Sequence, residues 1–272
     1  NLDDIKVALE NGAFAIIYDF DIDTKHIDDE IAWIKVKSIK KATLKLIRFI
    51  LIAQDTNSYY CDDIVFELIK ILTTNKKNIK LLSGNIIEDF EILRNITTED
   101  MIFSNNKEYI YNISPMSEDI QTVTKYNIQN LTIHSIFKTS FSYNGFFYNY
   151  IKLPYLYMKQ FLTLIDFIDI NNNLNIDIDI SLLRNMKFFS PIFIDNYYKI
   201  TDFGKSNRFI IASIDKKLAK LEIDFIKNYY NFAKIYAIKY YKNDKELIEK
   251  IGKKSKFNAL YIIGKSKLEV EY

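Results

Sequence analysis

Short apolar runs rich in β-branched and aromatic residues alternate along this chain with stretches whose apolar residues recur at helical spacing, and that alternation admits few architectures. Asp3 or Asp4 caps a first helix with Ile5, Ala8 and Leu9 on one face, and Gly12 stops it. Ala13 to Tyr18 follows as a buried strand, Asp19 to Glu30 as an acidic loop and Ile31 to Val36 as a second strand; Ser38 then caps a helix reaching about Ala53. Two further helices are expected between Asp62 and Asn95, built on Ile64, Leu68, Ile69 and Leu72 and then on Ile87, Phe90 and Leu93. Lys107 to Ile113, Asn130 to Phe137 and Phe146 to Leu153 read as extended, with a break at Asn144 and Gly145. Pro154 opens a helix to about Ile168, and Leu174 to Ile180 alternates like a half-buried strand. Phe209 to Leu221 reads as helix, Ala233 to Tyr240 as strand, Asp244 to Ile251 as an acid-capped helix and Ala259 to Ile263 as a last strand. The expectation is a mixed α/β fold: a layered mixed β-sheet flanked by helices.

With 49% hydrophobic residues, including 20 Tyr and 20 Phe, there is ample apolar surface to offset the entropy lost on folding. No apolar run approaches the roughly 20 residues that cross a bilayer. Net charge is +2, from 37 basic and 35 acidic side chains, so no overall field draws in nucleic acid. Asn1 to Asp4 are polar and acidic, unlike a secretory leader, and Cys61 is the single cysteine, as a reducing compartment favours; the expected location is the cytoplasm.

The six glycines, Gly12, Gly84, Gly145, Gly204, Gly252 and Gly264, are too far apart to form a phosphate-cradling loop or a dinucleotide fingerprint. No local signature pairs Cys61 with His26 or His134 as nucleophile and base, and a structural cysteine is the expected reading. The acidic stretch Asp19, Asp21, Asp23, His26, Asp28, Asp29 and Glu30 is the one place where hard-cation ligands crowd directly after a strand. It reads either as a magnesium site or as a solvated turn whose acids cap neighbouring backbone. The basic tail Lys250, Lys253, Lys254 and Lys256 follows an aromatic stretch that is better explained by a strand with lysines on its rim than by a polyanion footprint.

Ala8-Leu9-Glu10-Asn11-Gly12, followed by Ile16-Ile17-Tyr18-Asp19-Phe20-Asp21, resembles the opening of the 3,4-dihydroxy-2-butanone 4-phosphate synthases of riboflavin biosynthesis. In that family a helix and a glycine lead into a strand and the motif D-x-D-x-R-E-x-E-x-D. Asp19, Asp21 and Asp28 match its Asp positions, while Asp23, Thr24 and His26 stand where it has Arg-Glu and a second Glu. Leu131 to Leu153 is similar to the family's hairpin, and Phe188-Phe189-Ser190-Pro191 to F-R-S-P-G-H, with Ile192 and Phe193 replacing Gly and His. The family's R-x-G-H-T-E segment falls on Lys205 to Ile210, putting Arg208 where a metal-ligating His belongs.

The resemblance implies one domain over residues 1–272, with 55–125 divergent or inserted, and a homodimer or a heterodimer with an intact relative. Losing the acids and the imidazole removes metal ligands and bases together, so it implies a protein of eroded active site, a non-catalytic binding or structural subunit with no cofactor. One alternative is an active magnesium-dependent lyase converting ribulose 5-phosphate to dihydroxybutanone phosphate and formate, with Asp21, His26 and Asp28 holding the metal and Lys205 or Arg208 the phosphate. Another is an unrelated intracellular interaction protein.

Overall fold

The structure is a computed structural model, described here over residues 2–22, 30–74, 76–122, 125–171, 178–254 and 256–264. By its backbone contacts the chain forms two compact units: residues 1–66 with 75–121, and residues 67–74 with 122–272. Both are mixed α/β, and the strands fall into several sheets rather than one layered sheet.

The first unit opens with α1 (Leu2–Glu10), β1 (Ala15–Tyr18) and β2 (Ala32–Lys35). The two strands pair in parallel, and Ile5, Ile16 and Tyr18 form a small core beneath Trp33. Ser38 caps α2 (Ile39–Gln54) by accepting the Lys41 N–H, as its position before an apolar-periodic stretch predicts. Then come β3 (Asn57–Tyr60), α3 (Asp63–Leu72), of which residues 67–72 count with the second unit, β4 (Ile79–Leu81), α4 (Ile86–Leu93), β5 (Met101–Ser104), α5 (Lys107–Ile113) and β6 (Glu118–Asp119). The sheet order is β4-β5-β3-β6, all parallel, so each connection is a crossover through a helix. Ile47 and Leu51 of α2, Leu93 of α4, Ile102 of β5 and Ile110 and Ile113 of α5 share one core.

The second unit holds an antiparallel meander of β7 (Gln129–Ser135), β8 (Lys138–Tyr143) and β9 (Phe146–Ile151), then a 3-10 turn and α6 (Met158–Ile170). Asn144 and Gly145 both take positive φ (48° and 81°), which a two-residue hairpin turn of this hand requires. A four-stranded sheet follows from β10 (Ile192–Phe193), β11 (Phe209–Ser213), β12 (Ile235–Ile238) and β13 (Ala259–Ile263), in the order β10-β11-β13-β12, with α7 (Lys216–Tyr229) and α8 (Asp244–Gly252) as its helices. β11, β13 and β12 run parallel; β10 runs antiparallel on the edge.

Three sequence expectations need correction. Lys107 to Ile113 is helical: Asn106 Oδ1 accepts the Tyr109 N–H at 3.0 Å, and Ile110 and Ile113, three apart, reach one core, so burial overrides the strand propensity of Tyr and Ile. Phe209 to Leu221 splits: Phe209–Ser213 is a strand paired with β13, and Asp215 caps the helix that begins at Lys216. The alternating segment Leu174 to Ile180 lies largely outside the described residues, and Ile180–Asn185 is a 3-10 helix capped by Asp179.

Because Ile102 is fully buried in the first unit's core, Ile102→Ala is expected to lower unfolding free energy by about 2–5 kcal/mol. Urea titration followed by far-ultraviolet circular dichroism measures it; a loss under 1 kcal/mol would mean this core is not packed as described.

Candidate functional site

The acidic loop does not assemble a metal centre among the described residues. Asp21 is exposed and pairs with Lys35, whose ammonium holds the carboxyl below the usual carboxylate range. Asp19 Oδ2 accepts the Ile39 N–H at 3.0 Å, a helix-capping role of the kind expected of a solvated turn. His26 and Asp28 lie outside the described residues. No group of three His, Cys, Asp or Glu side chains arranged to hold a metal occurs among the described residues.

Lys205 sits on the surface of the second unit, in a turn where its N–H donates to Asp202. The Arg208 guanidinium is clasped between the Tyr198 and Phe257 rings, 4.7 and 4.5 Å from their centroids, and Nη1 donates to the Asp195 carbonyl at 3.3 Å. Its Nε and Nη2 are buried without a partner, so they do not face solvent phosphate. It occupies the residue before β11, not the start of a helix.

The strand-to-helix turn after β3 is where a parallel sheet ordinarily receives a phosphate. Here that turn is only Cys61-Asp62, and Asp62 Oδ1 accepts the N–H groups of Ile64 and Val65 at 2.9 and 2.8 Å. A fixed carboxylate thus occupies the helix start. Burial pushes the Cys61 thiol up, so no nucleophilic thiolate stands beside it.

Cationic groups gather instead in the second unit, around a cavity of about 450 Å³ lined by Lys138, Tyr150, Lys152, Ser181, Arg184 and Phe203. Lys138 opens β8 and rests over the Tyr150 and Phe203 rings, each 4.5 Å from its Nζ. Tyr150 is held with φ +52 at an irregularity between β8 and β9, where buried Ser140 Oγ accepts its N–H at 2.7 Å and also meets His134 Nε2 at 2.7 Å. Lys152 is half-buried just past β9; its Nζ makes two long bonds, to the Arg184 carbonyl at 3.3 Å and Ser190 Oγ at 3.4 Å. Burial, and then the neighbouring Lys138 charge, hold the Lys152 ammonium below the ordinary lysine range. No carboxylate forms an ion pair with Lys138, Lys152 or Arg184 among the described residues, although the exposed Asp179, committed to the Ser181 N–H, feels the Arg184 charge. Two cations near enough for their charges to oppose each other, with no ion-paired carboxylate among the described residues, form a site suited to an anion. Sequence reading passed over these residues; the one signal was lysine set directly between apolar and aromatic neighbours, as in Phe137-Lys138 and Ile151-Lys152-Leu153.

A second titratable centre lies in the core of this unit. Glu222 of α7 is 1% exposed; Tyr157 donates to its Oε1 at 2.6 Å, while Oε2 and the Tyr261 hydroxyl are buried close by without hydrogen-bond geometry. Burial pushes the carboxyl up to about 7 against the partial relief of the tyrosine contacts, with Asp215 adding to the rise.

No family model matches the chain, and no curated protein matches it. Among solved structures, it is similar to MurF ligase from Thermotoga maritima in complex with ADP, with a TM-score of 0.57 at 12% identity, covering 96% of this chain and 87% of that one. At that identity the likeness is one of fold. It overturns the expected dihydroxybutanone-phosphate-synthase ancestry, and with it the riboflavin lyase and eroded-lyase functions: the matching apolar stretches carry element order, not that family's fold. No helix among the described residues is long and apolar enough to cross a membrane.

Since folded Glu222 keeps its proton to about pH 7 while an unfolded glutamate loses it near 4.5, its contribution to stability is complete at acid pH and is lost as pH rises through 7. The difference is worth roughly 3 kcal/mol. Denaturant unfolding from pH 4.5 to 8 is expected to show that decline in the native protein and a flatter profile in Glu222→Gln; equal slopes would show that Glu222 does not hold its proton.

Proposed function

We propose that this chain binds a small anionic molecule carrying a phosphate or carboxylate group, at the Lys138–Lys152–Arg184 cavity of its second unit. The observation that carries this reading is Lys152: a half-buried ammonium beside a second lysine, with, among the described residues, only long bonds to neutral oxygens and no carboxylate paired with it. A bound anion supplies the missing counter-charge at a site already organised by the strained Tyr150 backbone and the Ser140 hydroxyl. The ADP held by the ligase of similar fold makes a nucleoside diphosphate one natural anion to try. Binding of its phosphates at the start of α3 is disfavoured, because the Asp62 carboxylate already takes those N–H groups and would repel a second anion.

The test is thermal denaturation and calorimetric titration with inorganic phosphate, pyrophosphate and ADP at fixed ionic strength. A saturating anion at 100 times its dissociation constant stabilises by about 2.7 kcal/mol, which raises the midpoint by roughly 5–10 °C. Lys152→Ala is expected to weaken binding at least tenfold, whereas Asp62→Ala leaves it unchanged. No shift with any of the three anions, or loss on Asp62→Ala with Lys152→Ala silent, would overturn the reading.

A further inference from the structure

Directly beyond Phe203 lies a different kind of cavity, of about 330 Å³, walled by Phe137, Phe193, Phe209, Ile226, Tyr230 and Phe232. Phe203 lines both cavities. Its ring meets Phe193 and Phe137 edge-on, with centroids 5.0 and 5.9 Å apart, and carries the Lys138 ammonium 4.5 Å from its own centroid. Phe137 and Lys138 are adjacent at the start of β8, so successive side chains serve the aromatic cavity and the cationic one. Phe203 and Phe232 are 39% and 73% exposed, which puts the mouth of the aromatic cavity at the surface.

Three polar side chains on that wall, Ser135, Ser206 and Asn258, are already committed. Ser135 Oγ accepts the Phe137 N–H, Ser206 Oγ donates to the Ile194 carbonyl and accepts the Arg208 N–H, and the Asn258 amide bonds Asn207 and Lys234 backbone. A nucleobase seated there would find few partners for its donors and acceptors and would leave most of them unpaired at a cost, whereas a hydrocarbon ring has none to satisfy. An apolar cavity of roughly 150 Å³ suffices for benzene, so a ring fits with room to spare.

Resting on the anion reading above, we infer that the two cavities form one site for an aryl anion: a hydrocarbon ring among Phe137, Phe193, Phe209 and Tyr230, joined past Phe203 to a phosphate or carboxylate at Lys138, Lys152 and Arg184. Phe203 is the specificity element, since any such ligand must pass its ring.

The experiment compares inorganic phosphate with phenyl phosphate by isothermal titration on the full chain, in the native protein and in Phe203→Ala, Ala233→Phe and Lys152→Ala. Phenyl phosphate is expected to bind at least tenfold more tightly than phosphate. Ala233→Phe, which fills the aromatic cavity from its rim, cuts that ratio to threefold or less while phosphate affinity stays the same; Phe203→Ala, which removes the ring that lines both cavities and underlies Lys138, lowers that ratio whatever its effect on phosphate alone, and Lys152→Ala weakens both ligands alike. Phosphate bound with no advantage for phenyl phosphate, or an advantage untouched by both Phe203→Ala and Ala233→Phe, overturns the aryl-anion inference and leaves the anion site standing. Binding of neither ligand overturns both.

Discussion

Each unit hangs on one strand whose backbone has no access to water. β5 and β13 are buried along their whole length and are flanked on both edges by parallel partners, β4 and β3 in one case and β11 and β12 in the other. Buried backbone groups must be paired, and a strand in that position finds its partners only if its neighbours arrive by crossover connections. The helices between the strands follow from this requirement, as do the crossings that bring α2, α4 and α5 onto a shared core.

That constraint also explains how much of the fold was legible in the sequence. Elements with an end signal were found nearly to the residue: Ser38 before α2, Pro154 before the 3-10 turn and α6, Asn144-Gly145 before β9. β3, β4 and β5 were missed, being three or four residues each, too short for a period to declare itself. Tyr109, Ile110, Tyr111 and Ile113 look extended by composition and are helical because two isoleucines three apart are needed by one core. The family resemblance failed for a related reason: a helix, a glycine and a strand in that order are shared by unrelated α/β folds.

The candidate site was less legible than the fold. Sequence attention fell on the acidic loop, where Asp19 and Asp21 turn out to be occupied with a helix start and a lysine. Lys138, Lys152 and Arg184 are scattered over almost fifty positions in a chain with 37 basic residues, and only the hairpin and the 3-10 helix bring them to one cavity. Arg208 carries unpartnered donors of its own, but two aromatic faces keep them from solvent, so orphaned charge alone does not make a site: access decides.

The Asp62 carboxylate at the start of α3 has a wider meaning. Where a parallel sheet relies on a ligand's phosphate to satisfy a helix start, part of its cohesion rises and falls with the supply of that ligand. Here the counter-ion is covalently part of the chain, present in equal measure whatever the surrounding solution holds. The start of α3 is therefore held with or without a bound guest, its cohesion set by the chain alone.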